Sequence, residues 1–156
     1  MNTAVKPGPV KPLGCTNFKL RQLMRRVAQH YDVELAHAGL RTTQYSLLSH
    51  VLKMGPVRPV DLAHAMTMEP STLTRNMQPL ISAGWLALEP GPDARSRWIT
   101  LTDAGREKRT EAQRRWRVAQ ESINKILGAE RVMALHTLID ESLALLAPND
   151  AGENDV

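Results

Sequence analysis

The stretch that decides the fold reads PVDLAHAMTMEPSTLTRNMQPLISAG over residues 59–84 and WLALEPGPDARSRWITL over residues 85–101. In its first part, Pro59 and Pro70 each suit the first turn of a helix, because the amide that proline lacks would be unbonded there anyway. Only the three residues 67–69 separate the apolar stripes of the two helices. The first part therefore predicts a helix-turn-helix.

The second part changes from a helical to an alternating pattern. Apolar side chains alternate over 86–89, and residues 98–101 form a second extended run. The intervening PGPDARS is rich in turn residues and carries Arg95 and Arg97. This pattern predicts a β-hairpin over 85–101 with a long, basic tip.

Helical periodicity accounts for most of the chain on either side of this stretch. We expect a first helix that is capped by Thr16 or Asn17 and stopped by Gly39, and a fifth helix that is capped by Thr102. Pro79 predicts a kink inside the fourth helix, since its ring blocks one helical hydrogen bond. The helices outside the helix-turn-helix are expected at residues 16–38, about 43–53, about 103–127 and 129–146.

The resulting fold class is mainly α with a small β-hairpin wing. A winged helix-turn-helix lobe at 41–102 is flanked by helical dimerisation regions at 15–40 and 103–146, whose apolar surface exceeds what so small a lobe can cover. Residues 1–14 are expected to form a flexible arm, and residues 147–156 a disordered acidic tail.

The composition is that of a soluble globular domain, with 156 residues, 42% hydrophobic and 23% charged. No apolar run reaches the ~20 residues of a membrane span, and no signal-type segment stands at the start, so a cytoplasmic protein without membrane contact is expected. Cys15 is the single cysteine, which excludes an internal disulfide framework and a cysteine-rich zinc site. Neither a metal nor another cofactor is expected. The five histidines are scattered and no glycine-rich phosphate loop is present, so an enzyme is not expected.

The net charge of +4 conceals an asymmetry. Residues 1–117 hold 18 Lys and Arg against 9 Asp and Glu, a net +9, whereas residues 118–156 hold 2 against 7, a net −5. A basic body beside an acidic end is typical of a surface that binds a polyanion. An uneven solvated surface would give the same count, so charge alone leaves both interpretations open.

The outward face of the fourth helix bears on the interpretation as a polyanion-binding surface. Hydroxyls and amides can bond phosphates, and Arg or Gln can reach base edges in a major groove. A slender loop with Arg95 and Arg97 fits a minor groove, whose negative potential favours an inserted arginine. Each feature alone also describes a solvated surface, but in succession they favour DNA binding. The polar residues of that helix face are Ser71, Thr72, Arg75 and Gln78.

The same residues resemble the MarR family of bacterial transcriptional regulators, over about residues 16–146. The wing signature is DARSRWITLTDAG at residues 93–105. It is joined by Leu62-Ala63, by STLTR at 71–75 with Leu80 and Gly84, and by Gly39-Leu40 with Thr43-Gln44-Tyr45.

The resemblance implies an obligate homodimer whose first and last helices interlock on the partner. It implies binding to a palindromic operator in double-stranded DNA, usually as a repressor that a small phenolic or aromatic-acid ligand releases. The implied roles make Arg95 the minor-groove contact of the wing, with Arg97 on phosphate or solvated. Asp93 would brace Arg95 and the wing rather than touch DNA, because phosphates repel a carboxylate. The recognition-helix contacts would be Ser71, Thr72, Thr74 and Arg75.

The family's effector sits between the first two helices, the start of the fifth helix and the DNA-binding lobe. An arginine beside aromatic walls suits an aromatic carboxylate, which needs a charge partner and a dry slot for its ring. The alternative is that Phe18, Leu48 and Trp116 belong to the dimer core while Arg21 is solvated. The expected ligand-binding residues are Phe18, Arg21, Gln22, Met24, Arg25, Gln44, Tyr45, Leu48 and Trp116.

Two alternatives remain open. Peroxide-sensing members of the family carry a reactive cysteine near the start of the first helix, so Cys15 could be the sensor, with Tyr45 close by. The other is a helical protein-interaction adaptor without DNA binding, which would leave the basic wing without a role.

Overall fold

The computed structural model describes residues 11–93 and 95–148. The expected arm at 1–14 and tail at 147–156 therefore lie largely outside the described residues. The described elements follow the expected order of four helices, a hairpin and two helices. Their bounds are α1 Thr16–Leu35, a 3₁₀ turn Ala36–Ala38, α2 Thr42–Met54, α3 Pro59–Ala65, α4 Pro70–Ser82, β1 Leu86–Pro90, β2 Arg97–Leu101, α5 Asp103–Leu127 and α6 Ala129–Leu146.

The start of α1 differs from the expectation, while its end agrees. Cys15 holds the N-cap position and makes no side-chain capping bond, so neither Thr16 nor Asn17 is the cap. At the other end, the chain leaves the helical direction at Gly39, whose φ of 71° lies in the left-handed region. The prediction of a cap failed because Thr16 already has helical geometry.

A carboxylate on α1 and a side chain of α2 itself hold the start of α2. The Asp32 carboxylate on α1 accepts hydrogen bonds from both the backbone N–H and the hydroxyl of Thr42, each at 2.7 Å. The side chain of Gln44 accepts from the backbone N–H of Arg41 at 2.9 Å. These bonds satisfy amides that a helix start leaves without a partner, and they tie α2 to α1.

The helix-turn-helix follows its proline signals. Pro59 and Pro70 each stand in the first turn of their helix, α3 and α4. The α4 helix continues through Pro79 to Ser82, and Gly84 then takes a φ of 75°. Between the two helices, Thr67 adopts a φ of 49°, which is unusual for a residue with a β-branched side chain.

The hairpin pairs antiparallel strands in a register that puts Leu86 opposite Leu101 and Pro90 opposite Arg97. A third segment extends it, because Val57 exchanges two backbone hydrogen bonds with Ile99, at 3.1 and 2.8 Å. This bridge attaches the hairpin to the loop before α3. It was not predicted from the sequence.

The core lies where α1, α2, α4 and the hairpin meet. Each of these elements contributes leucines or isoleucine that the expected apolar stripes place inward, and the α5 helix closes the core with Ala112 and Ala119. No helix in the described ranges is both long and apolar enough to cross a membrane. The largest fully buried side chains are Leu35, Leu47, Leu48, Val51, Leu62, Leu73, Leu80, Leu86 and Ile99.

The strained turn residue offers a stability test. Replacing Thr67 with Asn should raise the free energy of unfolding by up to about 1 kcal/mol, because Asn tolerates the left-handed region better than a β-branched residue. The measurement is the thermal midpoint at a fixed protein concentration. The matched control is Thr67→Val, which keeps the branched shape and should bring no gain. A midpoint for Thr67→Asn at or below that of the wild type would contradict the strain.

Candidate nucleic-acid interface

The α4 helix divides cleanly into a buried and an exposed face. Leu73, Met77 and Leu80 are buried. The Thr74 hydroxyl donates to the Pro70 carbonyl at 3.0 Å, so its remaining capacity outward is as an acceptor. The polar residues expected to contact DNA all lie on the solvent side of the helix, namely Ser71, Thr72, Thr74, Arg75 and Gln78.

The wing tip is held by one carboxylate. An oxygen of Asp93 accepts from the backbone N–H groups of Arg95 at 3.2 Å and Ser96 at 2.7 Å. These bonds lower the pKa of Asp93, with the Ser96 amide the largest cause. The Asp93 side chain therefore holds the backbone of the wing tip. Its bond to Arg95 is to the backbone N–H rather than to the guanidinium.

The charges on this surface are unevenly neutralised. Arg58, at the start of α3, forms a bidentate pair with Asp61 at 2.7 and 3.0 Å. Arg75, Arg95 and Arg97 are exposed and form no ion pair with another described residue. The three unpaired guanidinium groups thus lie on α4 and the wing, which are the two elements expected to reach DNA.

A cavity of about 580 Å³ opens between α1, α2 and α5, where an effector site was expected. Its apolar side includes Met24, Tyr45 and Trp116, and the two rings lie with their centroids 6.1 Å apart. The remaining lining residues are Val27, Ala28, Tyr31, Thr42, Ser46, Ser49, His50, Arg109 and Gln113.

The other six residues expected to bind ligand lie elsewhere. Leu48 is fully buried in the core, and Gln44 is engaged at the start of α2. Arg21 lines a different groove, between α1, α5 and α6. Their positions follow from helix geometry, because neighbours in sequence point to different sides of a helix. The remaining three, Phe18, Gln22 and Arg25, are exposed on α1 and line neither space.

The cation of the cavity is Arg109, which the sequence reasoning missed. Its Nε donates to the Ser49 hydroxyl at 3.2 Å, and Nη1 donates to the Gln113 side chain at 3.0 Å. Its guanidinium carbon lies 5.8 Å from the centre of the Tyr45 ring. No described carboxylate pairs with it. The sequence could have indicated Arg109, since it precedes the buried Ala112 by three residues and so lies on the same inward side of α5.

The groove that Arg21 lines has a volume of about 440 Å³ and is mostly apolar. Leu20 and Leu23 of α1 face Ile123 of α5 and Ile139 of α6 across it. Apolar exposure continues along α6, where the exposed fractions reach 69% at Met133, 61% at Leu138, 58% at Leu143, 86% at Leu145 and 82% at Leu146.

Cys15 is exposed at the N-terminal end of α1. Tyr45, the side chain expected near it in a peroxide sensor, is buried beneath Arg109 and Trp116 and lines the cavity between α1, α2 and α5.

The helix-turn-helix and the attached hairpin define a winged helix-turn-helix protein with additional helices at both ends. No family model matches the chain. It is 27% identical over 134 residues to the multiple antibiotic resistance protein MarR of Salmonella typhimurium, covering 85% of this chain and 91% of that protein. It is 27% identical over 90 residues to the HTH-type transcriptional regulator YwoH of Bacillus subtilis, covering 58% of this chain and 66% of that one.

Solved structures agree with these relatives. The transcriptional regulator MosR of M. tuberculosis, solved in complex with DNA, is 30% identical with a TM-score of 0.68, covering 83% of this chain and 98% of that one. A mutant MarR of E. coli, complexed with operator DNA, shares the fold at 21% identity, with a TM-score of 0.75 and coverage of 81% and 92%. The chain belongs to the MarR family, whose members are transcriptional regulators rather than enzymes.

Proposed function

We propose that this chain is a homodimeric repressor that binds a palindromic operator in double-stranded DNA and leaves it when an aromatic acid or phenol binds. The observation that carries the proposal is the adjacency of two DNA-reading surfaces. The exposed polar face of α4 suits a major groove. The wing presents Arg95 and Arg97, which form no ion pair with a described residue, and a minor groove favours such arginines. The DNA complexes of the relatives support the same use of the fold.

The wing is the part of this proposal that a single substitution tests best. Arg95→Ala should weaken binding to a duplex selected by the wild-type protein from a random-sequence library. The slope of log affinity against log salt should fall by up to about one unit, because one fewer groove or phosphate contact releases fewer counterions. The thermal midpoint should hardly change, since the side chain is exposed.

The control is Arg114→Ala, which removes the same charge from an exposed position on α5. Its affinity and salt slope should stay close to those of the wild type. Equal behaviour of the two variants would show that only net charge matters and would remove the wing from the interface. If the wild-type protein binds no duplex in a salt-dependent manner, the adaptor interpretation is preferred.

We propose dimerisation because the single chain exposes the apolar groove between α1, α5 and α6 and several large apolar side chains of α6. Five large apolar side chains of α6 are more than half exposed in the single chain. So much apolar exposure on one helix is characteristic of an interaction surface. Two copies with interlocked terminal helices would cover it and would place two α4 helices for two operator half-sites, about one helical turn apart.

We therefore expect a dimer at micromolar concentration in sedimentation velocity experiments. The thermal midpoint should rise with protein concentration, because association stabilises only the folded chain. A folded monomer with a concentration-independent midpoint would contradict the assembly.

The effector is proposed to bind in the cavity between α1, α2 and α5, with its ring packed against Trp116 beside Tyr45 and its negative charge at Arg109. Arg109 is half-buried and has only neutral partners among the described residues, so an incoming carboxylate would be its charge partner. The cavity touches α2 of the DNA-binding lobe and α1 and α5 of the dimerisation region. A ligand bound there can favour a spacing of the lobes that does not match the operator.

Arg109→Met should abolish the thermal stabilisation by benzoate and cinnamate, while Arg109→Lys should retain part of it because it keeps the charge. Operator release should change in parallel. Arg25→Ala is the matched control, since Arg25 is exposed outside the cavity, and it should respond like the wild type. If Arg109→Met still responds fully to benzoate and cinnamate, and Cys15→Ser abolishes release by peroxide, then the thiol is the sensor and the cavity is not.

A further inference from the structure

The neck of the wing contains a contact that leaves no room for a side chain at Gly91. Gly91 directly follows β1, and its N–H donates to the carbonyl of Ser96 at 2.9 Å. A Cβ at this position would overlap the hydroxyl of Ser96 and the indole nitrogen of Trp98. The backbone and the indole ring can approach this closely only because residue 91 is glycine.

The Trp98 indole is partly buried in the neck of the wing. Its Nε1 is shielded from solvent and has no hydrogen-bond partner among the described residues. Leaving a buried donor without a partner is unfavourable and is uncommon in native proteins. Three prolines, whose backbones are stiff, line the small cavity beside the ring, namely Pro56, Pro90 and Pro92.

The arginines of the wing depend on this neck for their direction. Ser96, which packs on Gly91, lies between Arg95 and Arg97, and Arg97 pairs with Pro90 in the hairpin register. A two-stranded hairpin with strands of five residues has little stability of its own. Without a packed neck, the tip would sample many directions, and binding DNA would have to order it.

We propose that Trp98, seated on Gly91, is a positioning element that fixes the direction of Arg95 and Arg97 toward the DNA. This inference rests on the proposed role of the wing in DNA binding. Trp98 acts through the two arginines rather than by touching DNA itself.

The test uses Gly91→Ala and Trp98→Ala in two backgrounds, the wild type and the double variant Arg95→Ala/Arg97→Ala. In the wild-type background, each should weaken binding to the library-selected duplex by about tenfold, within the range expected for one lost groove contact. The salt slope should not change, because the wing, once it has been ordered on the DNA, still brings both arginines to their contacts. In the double-variant background, the same substitutions should have no further effect, since the residues they position are gone.

Trp98→Phe is the matched control, because it keeps a ring on Gly91 and removes the unpaired N–H. Its affinity should equal that of the wild type, and its thermal midpoint should not fall. If Gly91→Ala disturbs folding, the comparison of Trp98→Ala with Trp98→Phe carries the test alone.

Wild-type affinity in Gly91→Ala and Trp98→Ala would overturn the inference. An equal loss in both backgrounds would also overturn it, because a general loss of stability acts whether or not the arginines are present. Failure of the underlying function has a different signature: the Arg95→Ala/Arg97→Ala variant would then bind as tightly as the wild type. That result would remove the wing from the interface, and with it this inference.

Discussion

The rest of the structure depends on the close contact between the start of α5 and the chain at Gly84 and Trp85. A Cβ at Gly105 would overlap the Trp85 carbonyl, so helix and loop touch backbone to backbone. Thr102 joins the same place with three bonds: its hydroxyl donates to Gly84 O at 2.6 Å and accepts from Gly105 N at 3.0 Å, and its N–H donates to Trp85 O at 3.2 Å. One threonine thus caps α5 and closes the end of α4.

This contact joins the elements proposed to read DNA to the helices proposed for dimerisation. Trp85 stands between the end of α4 and the first strand of the wing, so both are tied to α5. Lys108, one turn further along α5, lies 5.4 Å from the centre of the Trp85 ring and donates to the Ala38 carbonyl at 3.1 Å. A shift of α5 relative to α1 would therefore move α4 and the wing together. An effector between α1, α2 and α5 would bind beside this joint.

The sequence predicted those features that depend on local chemistry. Pro59, Pro70, Gly39 and Thr102 each favour one backbone geometry at one point, and the structure confirms all four boundaries. The features that depend on contacts between distant residues were missed or misplaced. The bond that Thr42 donates to Asp32 joins residues on two helices, and so does the bond that Arg109 donates to Ser49, 60 positions away. Periodicity gives the inward face of a helix but not the neighbour that it meets, and the arginine of the ligand site was therefore predicted on α1 rather than on α5.

The wing combines a carboxylate with a surface proposed to approach phosphates, and the hydrogen bonds explain how this is tolerated. One oxygen of Asp93 accepts from two backbone amides of the wing, so the wing itself holds this end of the carboxylate. Because the pKa of Asp93 is lowered in the folded chain, its charged form stabilises the wing at every pH above its ordinary value, and this contribution is lost only as the pH falls through the lowered one. The braced shape of the wing is therefore constant near neutral pH, and the proposed release from DNA has to act through movement of the lobe rather than through titration of Asp93.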